Sequence, residues 1–320
     1  MLNIRILSPT RLTDAVVAVL EEEPCVSGLA VIPQAGVKPA GDLVLADVPR
    51  ETVNDIVSRL RALGVHHEGT IQINQVDTWL STDGFAAELA APGSSADAVV
   101  WADVAQRSYD ESELNWTYLS FMSLATLISA IAIVLDSEIL VIGAMVLGPE
   151  FSAVAALGVA LVRRRYALLG HAIRTLFLGF AAAIAFTTAF AFAGKALGWV
   201  TLADLVGPRP ATGFIYSPDK WSFIVAIIAG SAGVLALTSA RSSGLAGVFI
   251  SVTTVPAAGN IALAIPFGLG SEIWASMFQL LMNITGMAIA GWVTLALQQY
   301  VWSRVSIRRG AAMSRPNRML

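Results

Sequence analysis

Along residues 1–77 the apolar positions follow two alternating periods. Residues 3–7 repeat every second position and predict a strand, whereas 10–23 set Leu12, Val16, Val19 and Leu20 at helical spacing. Stretches 29–32 and 43–45 read as further strands, 51–63 carries Val53, Ile56, Val57 and Leu60 on one helical face, and 71–76 closes the set. The order βαββαβ predicts an α+β, ferredoxin-like (ACT-like) unit over residues 1–80. Such units often pair and hold small regulators between subunits; the plainer reading is an assembly or docking domain without a ligand. His66 and His67, being adjacent, point to different faces and are expected at the surface rather than on a metal.

From residue 81 the pattern changes. Ala91-Pro92-Gly93-Ser94-Ser95 breaks the chain, and 97–115 resumes as an amphipathic helix, so 81–115 reads as a linker and a helix at the membrane surface. Beyond it, long apolar runs take over. The stretches 221–240, 242–271 and 273–303 hold no charged residue and no histidine. A hydrocarbon core about 30 Å thick needs roughly 20 mostly apolar residues per helix, and six stretches qualify: about 116–135, 139–162, 171–197, 221–240, 245–266 and 273–299. The expected architecture is therefore a six-helix transmembrane domain over 116–303, followed by a basic tail, 304–320.

Composition and charge agree. Charged residues are 13% of the chain and apolar residues 56%, against about 25% charge in soluble domains. A net charge of −3 without a basic face sets nucleic-acid binding aside, and one cysteine, Cys25, excludes a disulfide framework. Residues 1–5 lack a basic segment followed by an apolar run, so no cleaved signal peptide is expected. With the N-terminus inside, the inner flanks collect Arg107, Arg163, Arg164, Arg165, Arg174, Arg241 and the five arginines of the tail. The outer flanks hold Lys195, Arg209 and Lys220. The positive-inside bias places both termini in the cytoplasm. Trp116 and Trp302 then mark inner span ends, and Trp199, Trp221 and Trp274 outer ones.

The spans divide into two triplets, 116–197 and 221–299, and proline breaks the second span of each: Gly148-Pro149 in one, Val255-Pro256 in the other. Three spans is an odd number, so a repeat of the unit would be inverted. Paired Gly/Pro breaks in such repeats point to a transporter's binding site. Each proline is expected to free a carbonyl, that of Met145 or Val252, at membrane depth, where water, a side chain or a bound ion must satisfy it. The plainer reading is a kink repaired by neighbouring helices. Glu150 is the one acid deep inside a span. It reads either as a proton or cation site or as a structural hydrogen bond to another helix. Asn260 is its nearest polar counterpart in the second triplet, with Thr253, Thr254, Gln279 and Asn283 adding neutral hydrogen-bonding capacity. Asp136 and Glu138 fall in the outer turn between the first two spans, either as solvated residues or as an acidic mouth.

No HExxH, GxSxG, Walker A or GxGxxG pattern occurs, which points away from an enzyme, and no cofactor or metal is expected. Two functions remain. One is a transporter or channel for a small solute or ion, with Gly148, Pro149, Glu150, Thr253, Thr254, Pro256, Asn260 and Asn283 at its site and the N-terminal domain as regulator. The other is a membrane-anchored metabolite sensor or scaffold acting through that domain. A homo-oligomer, taken as a dimer, is expected from the domain type.

Glu111-Ser112-Glu113-Leu114-Asn115-Trp116-Thr117-Tyr118, Asp136-Ser137, Gly143-Ala144-Met145 and Gly148-Pro149-Glu150-Phe151 resemble a bacterial "uncharacterised hydrophobic domain" membrane family. The run Gly247-Val248-Phe249-Ile250-Ser251-Val252-Thr253-Thr254-Val255-Pro256-Ala257-Ala258-Gly259-Asn260 fits it too. The resemblance covers essentially the whole chain. It implies a multi-pass protein of the bacterial inner membrane with such an N-terminal domain, and it implies no particular activity.

Overall fold

The structure, a computed structural model, describes residues 1–91, 93, 98–215, 217, 219–239 and 252–313, with side chains as far as residue 301. The described residues fall into two compact units, one built on Met1–Val104 and the other on Ala105–Leu237 and the helices that follow up to Gln299.

In the first unit, β1 (Leu2–Ser8), β2 (Gly28–Val37), β3 (Ala40–Val48) and β4 (Thr70–Gln75) form one sheet in the order β2-β3-β1-β4. Every neighbouring pair is antiparallel. The two-residue period decides its faces: Leu2, Ile4 and Ile6 of β1 pair with Val48, Ala46 and Val44 of β3, and all six are buried. Helices α1 (Thr10–Glu21) and α2 (Val53–Ala62) add Val16, Leu20, Val53, Ile56 and Leu60 to the same core. Burial of each large aliphatic side chain contributes about 1.5–3 kcal/mol. Asp42 fastens the sheet to α1. Its carboxylate accepts from the Gln34 N–H at 2.8 Å, where β2 slips register, and from the Thr13 and Thr10 hydroxyls at 2.7 and 3.3 Å.

The short α3 (Val65–Glu68) exposes His66 and His67. The stretch 81–115 holds one helix more than the amphipathic one expected over 97–115. It holds α4 (Thr82–Ala90), capped by Ser81 accepting from the Gly84 N–H at 3.1 Å, and α5 (Trp101–Glu111). Before α5, Asn54 donates to the Val99 carbonyl at 2.7 Å and accepts from the Trp101 N–H at 3.1 Å. Most of the Pro/Gly/Ser break lies outside the described residues.

The second unit is helical. Its elements are α6 (Trp116–Val134), α7 (Glu138–Leu147), α8 (Glu150–Val162), α9 (Tyr166–Ala196), α10 (Leu202–Val206), α11 (Lys220–Thr238), α12 (Thr254–Phe267) and α13 (Gly270–Met313). Four of these helices contain a stretch long and apolar enough to cross a membrane: α6, α9, α11 and, over Gly270–Val301, α13. The pair α7 and α8 passes the same test together, bent by 53° at its break. The fifth expected span, 245–266, lies partly outside the described residues, and its described part, α12, is 14 residues long. The basic tail does not begin as a separate segment, since α13 runs on to Met313.

Burial sorts the helices. Nearly all of α8 and α12 is buried, so these two lie inside the unit. The longer helices α6, α9, α11 and α13 expose large apolar residues such as Phe177, Phe190, Ile228 and Trp292. Close packing relies on small residues. A Cβ on Gly233 of α11 would fall 1.9 Å from the Phe151 ring of α8, and one on Gly230 would fall 2.5 Å from the Met287 carbonyl of α13. The segment between α9 and α11 folds inward. Leu205 and Ile215 pack with Ile133, Val141 and Leu263. Asp136 holds the segment by accepting from the Ala211 and Thr212 N–H groups at 3.2 and 2.9 Å and from the Thr212 hydroxyl at 2.8 Å.

Candidate functional site

The first proline marks a true break. Helix α7 ends at Leu147, Gly148 is extended, and Pro149 precedes α8, so the chain starts a new helix there rather than kinking through it. Glu150 is thereby the first residue of α8, and it is 7% exposed. Its Oε1 accepts from the Thr254 hydroxyl at 2.6 Å; its Oε2 has no hydrogen-bond partner among the described residues. Gly148 makes the room. A Cβ there would fall 2.3 Å from Glu150 Oε2 and 2.7 Å from Val255 Cγ2.

The second proline behaves differently. Pro256 is the third residue of α12, where its missing N–H is one that no helix carbonyl would have met. Nor is the Val252 carbonyl left free as expected, because the Thr254 N–H reaches it at 3.0 Å. What the start of α12 presents is two adjacent threonines. Thr254 donates to Glu150, and Thr253 accepts from Gln279 Nε2 and Asn283 Nδ2, each at 3.0 Å. Gln279 and Asn283 sit one turn apart on α13, both within 1% of full burial, and Gln279 Oε1 and Asn283 Oδ1 have no partner among the described residues. Thr253 has a single hydroxyl hydrogen, so it could satisfy at most one of these amide oxygens however the amides were turned.

The helix starts of α8 and α12 thus meet at a chain of polar groups ending in three buried oxygens that find no donor among the described residues. Their positively polarised first turns would favour a negative charge on Glu150. Tyr118 of α6 is also buried, and its hydroxyl has no hydrogen-bond partner among the described residues. A cavity of about 460 Å³ adjoins this chain: Thr253 and the buried Asn283 are among its lining residues, as are the exposed Glu138 and Asp219.

Asn260 is elsewhere. It lies six residues beyond Thr254, about 9 Å along the α12 axis, in a second buried cluster that sequence reasoning missed. Arg209 turns inward and pairs with Glu272 at 2.9 Å, and it donates to Asn260 Oδ1 at 3.3 Å. Asn260 Nδ2 donates to Glu272 at 3.1 Å and to Ser276 at 2.9 Å. The one available signal was Glu272, the sole charge between 242 and 303. Asp136 is likewise a tie rather than a free acid. Burial pushes its carboxyl up, but the bonds from Thr212 and Ala211 and the Arg209 charge outweigh this and hold it below the usual carboxylate range. Among the described residues no group of three or more His, Cys, Asp or Glu side chains could hold a metal ion.

Several helices long and apolar enough to span a bilayer, with two more buried between them, give the fold of a membrane protein. Residues 145–289 match the model of one family, described as a domain of unknown function (DUF389). That range contains both prolines, Glu150, Thr253, Thr254, Gln279 and Asn283, as well as the Arg209 cluster; Tyr118, Asp136 and Glu138 lie outside it. The match agrees with the resemblance to an uncharacterised hydrophobic domain. No curated protein and no solved structure matches the chain.

Proposed function

We propose that the protein is a transporter or channel for a small solute or ion in the bacterial inner membrane, working through the chain of groups from Glu150 to Asn283. The observation that carries this reading is the buried meeting of two helix starts, where Glu150, Gln279 and Asn283 each keep an oxygen without a donor among the described residues. Such oxygens cost about 1–3 kcal/mol each when left unsatisfied, and a passing proton, cation or hydrogen-bond donor would relieve that cost. On this reading six spans form an inverted 3+3 repeat, with both termini in the cytoplasm. The N-terminal unit is then ferredoxin-like and regulatory, a reading supported by its βαββαβ order and the strand order β2-β3-β1-β4.

The test is flux in proteoliposomes, with protons, alkali cations, small amines and small carboxylates as the panel. Glu150→Gln keeps an acceptor for Thr254 and removes the charge, so at least about a tenfold change in flux is expected without loss of fold, equivalent to about 1.4 kcal/mol. Normal flux in both Glu150→Gln and Pro256→Ala would sink the site. The sensor or scaffold reading would then stand, with the cavity of about 380 Å³ lined by Val26, Ser27, Asp83 and Ala87 as its binding place.

A further inference from the structure

The cavity beside Thr253 and Asn283 has a composition of its own. Among the described residues, the charged side chains that line it are Glu138 and Asp219. Lys220, next in sequence, sits over the Trp221 ring, 5.6 Å from its centroid, and its charge also favours the ionised form of Asp219. Asp219 is the cap of α11. Hydrogen bonds from the Ser222 N–H and hydroxyl, at 2.8 and 2.9 Å, hold its carboxyl below the usual range, so it is anionic at neutral pH. The walls are largely apolar: Val141, Ile142, Met145, Phe214, Trp221 and Val225. At the buried end, Asn283 is 1% exposed and its Oδ1 has no donor among the described residues. At about 460 Å³ the space falls within the size of small-molecule sites, roughly 300–1,000 Å³.

Each feature narrows the ligand. Two carboxylates against the single neighbouring ammonium of Lys220 leave a net negative charge, which disfavours an anion by Coulomb repulsion. Apolar and aromatic walls offer little to a bare hydrated metal ion, which needs several oxygens around it. They suit a hydrocarbon body, and an aromatic wall adds attraction for an ammonium head. We infer that this cavity is a binding site for an organic cation, an ammonium compound with a compact hydrocarbon body, whose charge lies between Glu138 and Asp219 and which approaches the acceptor oxygen of Asn283. The assignment rests on the transport reading for its role, since it names the class of solute admitted to that site.

The experiment uses the full chain in nanodiscs of zwitterionic lipid and three probes of similar shape: benzyltrimethylammonium, benzyl alcohol and benzoate. Equilibrium binding should favour the ammonium probe by at least about tenfold over the other two. Glu138→Gln, an exposed and conservative change, should remove most of that preference. Asn283→Leu should weaken binding separately, and a thermal midpoint for each variant shows that it is folded. Equal binding of benzyl alcohol, displacement of the ammonium probe by sodium at matched concentration, or an unchanged preference in Glu138→Gln would each overturn the site. Uptake of the same probe into proteoliposomes is measured in parallel. Charge-selective binding without uptake supports the site and removes the transport reading, whereas uptake of other solutes without charge-selective binding keeps transport and removes the site.

Discussion

Two residues show how local chemistry sets the limits of change. At Gly148 an added methyl would meet the Glu150 carboxylate and Val255, both buried, whereas at Gly143, five residues earlier, it would meet nothing within 4 Å. Gly148→Ala is therefore expected to destabilise by about 1–3 kcal/mol through overpacking. Gly143→Ala should be neutral or stabilise by up to about 1 kcal/mol from helix propensity. Thermal midpoints of the two variants, purified identically, decide the matter; equal midpoints would mean that the break relaxes freely. Asp42 carries a pH dependence. The Gln34 N–H and the Thr13 hydroxyl hold its carboxyl below the usual range. Its folded value thus lies below its unfolded one, near 3.9. Its stabilising contribution is complete above that unfolded value and is lost as pH falls through the folded one. Unfolding midpoints between pH 6 and 3 should fall more steeply for the native chain than for Asp42→Asn.

Among the elements, what was legible followed from periodicity and from charge. The sheet and its two covering helices were readable because Leu2, Ile4 and Ile6 alternate and because Val53, Ile56 and Leu60 recur at helical spacing. The apolar helices were readable from long stretches without charge, and the α7–α8 break from Gly148-Pro149. Helix α4 was missed because nine Ala-rich residues give little amphipathic contrast, although Ser81 offered a cap. The inward turn of Arg209 was missed for a deeper reason: an arginine between two apolar runs looks the same in sequence whether it meets solvent or a buried acid. That pair now ties the segment after α10 to the start of α13. Removing the negative charge beside a buried guanidinium costs about 3 kcal/mol, so Glu272→Gln should lower the thermal midpoint markedly and without relief by salt. A double variant, Arg209→Met with Glu272→Leu, should recover much of the loss. A double variant worse than the sum of its single changes would contradict that account. The likeness of Asn260 to Glu150 as paired midplane groups was a sequence symmetry that packing does not follow, because Asn260 is committed to Arg209, Glu272 and Ser276.

At the scale of the whole molecule, the open question in the helical unit is whether α7 and α8 together cross the bilayer or form a re-entrant loop. The hydrogen bonds of Asp136 bear directly on it. They fasten the α6–α7 turn to residues 211 and 212, which follow α9. Helix α9 has 31 residues, about 46 Å at 1.5 Å per residue, ample for a core of about 30 Å. If α9 crosses, its start beside Arg163 and its end toward Thr212 lie on opposite sides, and Asp136 is fixed to the far one. The chain from Asp136 to Arg163 must then cross as well, broken helix included. Labelling can check this, because Cys25 is buried and contributes little background. Glu138→Cys and Ala203→Cys, both exposed positions, should react with an impermeant maleimide added from the same side of sealed membranes. Arg163→Cys should react only from the other side, which the proposed topology makes the cytoplasmic one. Reaction of Glu138→Cys and Arg163→Cys from one common side would make α7–α8 re-entrant. The 3+3 repeat would fall with it, since the first triplet would then cross the bilayer only twice.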